Sequence, residues 1–261
     1  MNADNHIHTY YSDDSECPMR DMVERAVEIG LDEMTFTEHV DYEVKDVENC
    51  DYEKYFAEIA QLRKEYDGRI EIRQGIEFGV QARTVPRYIE DAKKYPFDFI
   101  ILSVHQVDNQ EFWTGEFQKG RTQDEYQQAY YQAIYDVMRK FGDYSILGHL
   151  DMIKRYDPAG DYPDEKIMPV VDKILTQAIT DGKGIEVNTS SFKYGLKDLT
   201  PSAAILKRYR ELGGEILTIG SDSHETEHLA DHIPEVKERL KAMGYEHFYT
   251  FDRLKPVRHD L

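Results

Sequence analysis

Residues 70–105 read IEIRQGIEFGVQARTVPRYIEDAKKYPFDFIILSVH. The stretch holds two β-rich apolar runs, Ile70–Phe78 and Phe97–Val104, on either side of a segment at helical spacing, Pro86–Lys94. Each run closes on a side chain of metal-ligand type, Glu77 in the first and His105 just past the second. Strands joined by a helical crossover lie parallel. The same alternation continues outward in both directions. Further strands are predicted at Asn5–His8, Glu33–Thr37, Tyr144–Leu150, Gly184–Thr189 and Glu215–Ser221. Helices are predicted at Met19–Ile29, Tyr52–Glu65, Gln123–Phe141, Glu165–Thr180, Pro201–Leu212 and Ile233–Met243. Gly30 and Gly142 follow helical patterns, where a residue able to take positive φ closes the last turn. Thr200-Pro201 reads as an N-cap with proline at the first helical position.

Seven such β–α units fit one α/β domain over residues 1–261. Periodicity alone leaves an open doubly wound sheet standing beside a barrel. The strand ends favour a barrel, which gathers every strand's C-terminal end around one mouth. His6 and His8 flank Ile7, and residues two apart on a strand face the same side. Asp13 follows in the next loop, with Asp14 beside it. Later strands end at His39, Glu77, His105, His149 and the pair Asp222 and His224. Only the sixth strand, closing on Glu186-Val187-Asn188-Thr189-Ser190, adds no member to this set, and like the third it offers no histidine. A single histidine at a strand end is more often a hydrogen-bonded structural residue than a ligand. A common end for six strands is what a metal site requires. Nine donors exceed the three or four that one zinc takes and suit three ions, with Glu77 and Asp222 as bridging or anchoring carboxylates. Imidazole-rich sites favour zinc, iron or manganese.

Composition removes several classes. The 261 residues include 51 acidic and 32 basic side chains, a formal charge of −19. That charge repels nucleic-acid phosphates and anionic membrane surfaces. No apolar run approaches the roughly 18 residues a spanning helix needs. Residues 1–16 lack the basic start and apolar stretch of a targeting peptide. Cys17 and Cys50 do not suggest a disulfide framework, in keeping with a reducing cytoplasm. The oligomeric state is not legible.

The motifs together resemble the polymerase and histidinol phosphatase (PHP) family. They run in order from the His-x-His start through Ser12-Asp13-Asp14, Thr37-Glu38-His39, Gly75-Ile76-Glu77, Ser103-Val104-His105 and Gly148-His149 to Gly220-Ser221-Asp222-Ser223-His224. Within the family, Gly148–Tyr156 (GHLDMIKRY), Glu186–Ser190 (EVNTS) and the run from Pro201 to His224 are most similar to the histidinol-phosphate phosphatases. The resemblance implies a distorted (β/α)7 TIM-like barrel holding three divalent transition-metal ions. It implies one ion on His6, His8, Glu77 and Asp222, and a second on Glu77, His105 and His149. The third falls to Asp13, His39 and His224, with Asp14 able to replace Asp13. The implied substrate is L-histidinol phosphate.

Phosphate monoester hydrolysis needs a strong nucleophile, neutralised phosphoryl charge and help for the leaving alkoxide, all of which clustered metals supply. The expected step is in-line attack by a metal-bridging hydroxide held at Glu77, with Asp222 or His224 passing a proton to the leaving oxygen. Arg155 is the first candidate for holding phosphate, followed by Lys193 and Arg83. Tyr10-Tyr11 and Phe112-Trp113 are candidate pocket walls. Three other readings compete. His224-Glu225-Thr226-Glu227-His228 matches the H-E-x-x-H zinc-peptidase signature, which requires both histidines on one helix. That reading leaves His6, His8, His39, His105 and His149 without a role. A non-catalytic PHP module of the kind attached to DNA polymerases conflicts with the complete ligand set. A PHP phosphoesterase acting on phosphotyrosine or nucleotides differs only in its pocket.

Overall fold

The structure is a computed structural model that describes residues 1–44 and 47–261. The seven predicted strands appear as β1 (Ala3–Ile7), β2 (Glu33–Phe36), β3 (Glu71–Gly79), β4 (Phe99–Ser103), β5 (Ile146–Leu147), β6 (Gly184–Asn188) and β7 (Leu217–Gly220). Each pairs in parallel with the next in chain order. A short piece, His39–Val40, continues beyond β2 and pairs with Glu77 and Phe78 of β3. The last strand then returns to the first. Ile7 bridges Ser223 in parallel, the His8 N–H donates to the Ser223 carbonyl at 2.8 Å, and the Asp222 N–H donates to the His6 carbonyl at 2.9 Å. The architecture is therefore a nearly closed seven-stranded parallel barrel, and the open-sheet alternative is excluded.

The crossovers are α1 (Met19–Ile29), α2 (Tyr52–Glu65), α3 (Val85–Lys94), α4 (Gln123–Met138), α5 (Asp164–Thr180), α6 (Ala203–Glu211) and α7 (Ile233–Ala242). α1 illustrates their logic. It buries Met19, Met22, Val23 and Ala26, a stripe at i, i+3, i+4 and i+7, and Gly30 closes it at φ 76°. Two expected punctuation marks are corrected. α4 stops at Met138 with Arg139 in the right-handed region, so Gly142 lies beyond its end and takes no positive φ. α6 begins at Ala203, where the Ser202 hydroxyl accepts the Ile205 N–H; Thr200 is occupied in a bridge to Asn188.

β5 is shorter than the Tyr144–Leu150 expected, although Ser145 and Gly148 still donate to β4 carbonyls at 2.8 and 3.0 Å. A Cβ at Gly148 would stand 2.5 Å from Ser103 Oγ, so glycine lets this chain press on β4. Phe99, Ile101 and Ser103 share one side of β4. Phe99 and Ile101 pack with Ile146 and with Phe251. Phe251 comes from an unanticipated antiparallel hairpin, β8 (His247–Asp252) and β9 (Lys255–Asp260), placed under the start of β4 by Leu254 N–H donating to the Asp98 carbonyl at 2.8 Å. One end of the barrel is thus filled with apolar side chains. Among the described residues, no helix is long and apolar enough to cross a membrane.

Candidate metal centre

The opposite end is polar and organised around Glu77. This carboxylate is fully buried on β3. Its Oε2 lies 3.2 Å from His6 Nε2, 3.5 Å from His8 Nε2 and 3.1 Å from His39 Nδ1. Its Oε1 lies 2.8 Å from His149 Nε2 and 3.3 Å from His105 Nε2, and accepts the Ser103 hydroxyl at 2.6 Å. Asp222 Oδ1 faces His6 Nε2 at 3.6 Å and His8 Nε2 at 3.5 Å. Asp222 takes φ 57°, a conformation that costs a residue with a Cβ about 1–3 kcal/mol and gathers at functional sites. Its N–H to the His6 carbonyl holds it there.

The structure thus brings together His6, His8, His39, Glu77, His105, His149, Asp222 and His224, from six of the seven strand ends. Asp13 needs correction. Among the described residues, Asp14 is the loop carboxylate paired with His39 and His224, at 3.6 and 3.2 Å, while Asp13 pairs with neither. The turn is pinned at Ser12, whose hydroxyl donates to Glu38 at 2.7 Å and accepts the His39 N–H at 3.0 Å. Beyond that anchor it is Asp14 that comes over the histidines.

Four imidazoles are oriented from behind. Nδ1 of His6 meets Glu186 at 2.6 Å, Nδ1 of His105 meets Asp41 at 3.0 Å, and Nδ1 of His224 meets the Asp222 carbonyl at 3.0 Å. Nδ1 of His8 meets Ser12 Oγ at 3.1 Å. Because that hydroxyl spends its hydrogen on Glu38, His8 must donate, which leaves the Nε2 lone pair free toward the cluster. Burial, then His39 and His224, push the His8 pKa well down, so the ring is neutral and able to ligate. Burial opposes ionisation of Glu77, but His6, His105 and His39 hold it well below the usual carboxylate range. Asp222 follows the same pattern, with His6, His8 and Arg155 overcoming burial.

These donors fit transition-metal ions on structural grounds. Nε2 of His8, Nδ1 of His39 and Nε2 of His224 are buried without a hydrogen-bond partner. Each orphan costs about 1–3 kcal/mol in the absence of a ligand. Donor atoms fall within 4.8 Å of one another in the groups His6–His8–Glu77, His39–Glu77–His105, His6–His149–Asp222 and His8–His39–His224. Close approach without hydrogen-bond alignment is what groups sharing a cation give.

A cavity of about 400 Å³ opens above the cluster. Arg155 enters it with its side chain only 4% exposed, donating to Asp222 Oδ2 at 3.3 Å, Ser190 Oγ at 2.7 Å and Asn188 Oδ1 at 3.2 Å. Lys193 lines the same space. Arg83 does not. Its guanidinium is held by Glu43 at 2.9 Å and Gln81 at 3.2 Å, in a separate recess. Of the aromatic pairs proposed as walls, only Trp113 serves; Phe112 is buried in the core against Phe117 and Tyr130, and the Tyr10 and Tyr11 hydroxyls both turn to Glu58. Tyr156 and Tyr194, not anticipated, complete the wall, with ring centroids 6.4 Å (Trp113–Tyr156) and 6.1 Å (Tyr156–Tyr194) apart.

The peptidase signature fails on geometry. His224 lies outside any helix, and Thr226–His228 is a single 3-10 turn in which His228 faces Glu225 at 3.8 Å. The supporting residues Ser12, Asp41 and Glu186 also went unassigned in the sequence. The one available signal was alternation on β6, which puts Glu186 and Asn188 on the same inward side.

Comparison with known proteins agrees with this geometry. Residues 4–190 match the PHP domain family. A histidinol-phosphatase of Lactococcus lactis is 32% identical over 262 residues, covering 97% of this chain and 95% of that one. A histidinol-phosphatase of Bacillus subtilis is 27% identical, covering 73% of this chain and 81% of its own. Among solved structures, the L. lactis histidinol phosphate phosphatase complexed with zinc, L-histidinol and phosphate superposes with a TM-score of 0.89 at 31% identity, covering 98% of both chains. A Listeria monocytogenes protein at 20% identity shares the fold with a TM-score of 0.72, covering 90% of this chain and 99% of that one. With the family matched over most of its length and its histidine- and carboxylate-bearing strand ends gathered at one rim, the chain belongs to the PHP family.

Proposed function

We propose that this protein is a metal-dependent phosphomonoesterase that hydrolyses L-histidinol phosphate to L-histidinol and phosphate, a step of histidine biosynthesis. We further propose that residues 1–261 act as one catalytic domain in the cytoplasm. The observation that carries the reading is the convergence of six imidazoles on Glu77 and Asp222 beneath a cavity into which Arg155 points. The L. lactis relative, solved with zinc, L-histidinol and phosphate, supports the metal and the substrate.

Three sets of side chains would hold three ions: His6, His8, Glu77 and Asp222; Glu77, His105 and His149; and His39, His224 and Asp14. Zinc, manganese and iron all suit this donor set. Such ions, when bound, lower the pKa of water toward neutrality and neutralise charge on phosphoryl oxygens. Glu77 contributes both carboxylate oxygens and so joins the first two sets. Arg155 offers its guanidinium fork to the phosphate, where charge-assisted hydrogen bonds strengthen as charge develops. Lys193 adds a second cation at the mouth. The proton taken up by the leaving alkoxide originates on the attacking water; Asp222, held ionised, and His224 both face the cavity and would relay it rather than supply it. Trp113, Tyr156 and Tyr194 supply ring faces for an imidazole, and Asp41, which lines the same cavity, suits the substrate's amino group. The chain's acidic balance favours a small molecule that carries an ammonium group beside its phosphate over nucleic acid or membrane.

Phosphate release from L-histidinol phosphate, a phosphotyrosine peptide and nucleoside monophosphates tests this assignment. A kcat/KM for L-histidinol phosphate at least a hundredfold above the others is expected. Equal, slow turnover of all three would overturn the substrate assignment.

A further inference from the structure

β6 is the one barrel strand whose end adds none of the proposed metal-holding side chains, yet it places a buried carboxylate at the hub of that array. Glu186 is 1% exposed. Its Oε1 accepts from His6 Nδ1 at 2.6 Å, and its Oε2 accepts the His149 N–H at 2.8 Å and Asn188 Nδ2 at 3.2 Å. The second hydrogen of that Asn188 amide goes to Asp222 Oδ2 at 3.2 Å, and Asn188 Oδ1 accepts from Arg155 at 3.2 Å. A single carboxylate therefore touches one proposed ligand directly, a second through its backbone, and the Arg155–Asp222 pair through one amide.

We propose that Glu186 is a positioning residue for the metal cluster, a role that rests on the metal-dependent reading above. It fixes the proton of His6 on Nδ1, which leaves Nε2 as the ligating atom, and it raises the basicity of that ring. It also sets the register between His6, His149 and Arg155. Two observations separate this role from ordinary satisfaction of a buried polar group. First, among the described residues, no lysine or arginine pairs with Glu186; its only ionic partner is His6. A glutamine has a single acceptor oxygen, and its NH2 would face either His6 Nδ1 or the His149 N–H, so only a carboxylate, accepting on both oxygens, reaches both residues at once. Second, the neighbouring strand is cut away to admit it. A Cβ on Gly220 would lie 2.7 Å from Glu186 Oε1 and 2.3 Å from His6 Cβ.

The test uses the full chain stripped of metal and titrated with Zn2+ against a chromophoric chelator, then with Co2+ read by its visible absorption. Glu186→Gln is expected to fold with a lowered metal-free melting temperature, to bind zinc about 10–100-fold more weakly and to change the Co2+ spectrum. Its kcat on L-histidinol phosphate falls while KM holds, and excess metal restores part of the loss. Glu186→Asp keeps the charge but shortens the reach; it is expected to fold and to fall between wild type and Glu186→Gln. Should Glu186→Gln not fold, a several-fold weaker zinc affinity in Glu186→Asp is the expected result. Wild-type zinc affinity and Co2+ spectrum in the folded variants would overturn the proposal. A wild-type chain that binds no zinc would remove it together with its parent reading. A wild-type chain that binds zinc but leaves L-histidinol phosphate intact would remove only the substrate assignment, and the affinity comparison would still decide the role of Glu186.

Discussion

Arg155 and Asp222 stand 3.3 Å apart, and Asp222 divides its two oxygens between that guanidinium and the two histidines of β1 and its extension. Oδ2 takes the guanidinium, while Oδ1 faces His6 and His8 at 3.6 and 3.5 Å. The residue proposed to hold phosphate is thereby coupled to one proposed to hold metal. Both are nearly buried, so neither charge is screened by water.

Removing that guanidinium costs activity in two ways. Arg155→Ala takes away a phosphate donor and leaves Asp222 short of a partner. A loss of about 10²–10³ in kcat/KM is expected, the scale of losing one preorganised donor. Arg155→Lys restores charge without the planar fork and is expected to recover little of it. Steady-state phosphate release checks both, and near wild-type rates in Arg155→Ala would refute the coupling.

Glu77→Gln is expected to abolish turnover and strip the chain of most of its metal while leaving its circular-dichroism spectrum unchanged. The carboxylate faces five imidazoles, so neutralising it removes the charge that gathers them. Metal content and phosphate release, measured on one preparation, give the result. Retained metal with retained activity would contradict the bridging role.

Much of this was legible because metal ligands on parallel strands must sit at fixed places. α1 and α2 begin and end where their apolar spacing put them, and every strand candidate lies in the barrel. The hairpin β8–β9 was hidden for a physical reason. Its turn residues Arg253 and Leu254 adopt φ 49° and 61° without the Asn-Gly or Asp-Gly that usually announces such a turn, and β9 is mostly exposed. Asp13 and Asp14 could not be told apart by spacing, because the turn anchored at Ser12 decides which one faces His39. Arg83 read as a phosphate contact from its place after β3, but Glu43 and Gln81 hold it aside. Glu186 escaped notice because its importance lies in contacts behind a ligand, which strand-end counting does not see.

Metal binding should release protons. In the metal-free chain, burial opposes protonation of His6, His39, His105 and His224, but neighbouring carboxylates raise all four above 6.5, His105 to about 10. Within this cluster, His8 is lowered instead. Stability contributed by the raised groups is complete below pH 6.5 and is lost as pH climbs toward 10. Stability contributed by the depressed Glu77 and Asp222 is present above their ordinary values of 4.5 and 3.8 and is lost as pH falls. The metal-free melting temperature is therefore expected to drop between pH 6.5 and 10, whereas zinc affinity rises over the same range because zinc displaces those protons. Calorimetric titration in buffers of different ionisation enthalpy checks the release, and affinity independent of pH would contradict it.

The aromatic wall carries a separate expectation. L-alaninol phosphate is the amino-alcohol phosphate without the imidazole. Trp113→Ala, which removes a half-exposed ring from the cavity rim, is expected to lower the ratio of kcat/KM for L-histidinol phosphate over L-alaninol phosphate by about tenfold, the 1–1.5 kcal/mol of an aromatic pair. An unchanged ratio would place ring recognition elsewhere.

Elemental analysis of the purified chain reaches the foundation of all these arguments, since each assumes that eight strand-end side chains and Asp14 gather a cluster. Three equivalents of zinc, manganese or iron per chain are expected, lost together in Glu77→Gln. A single equivalent, or none after incubation with each metal, would contradict the cluster and the hydrolase built on it.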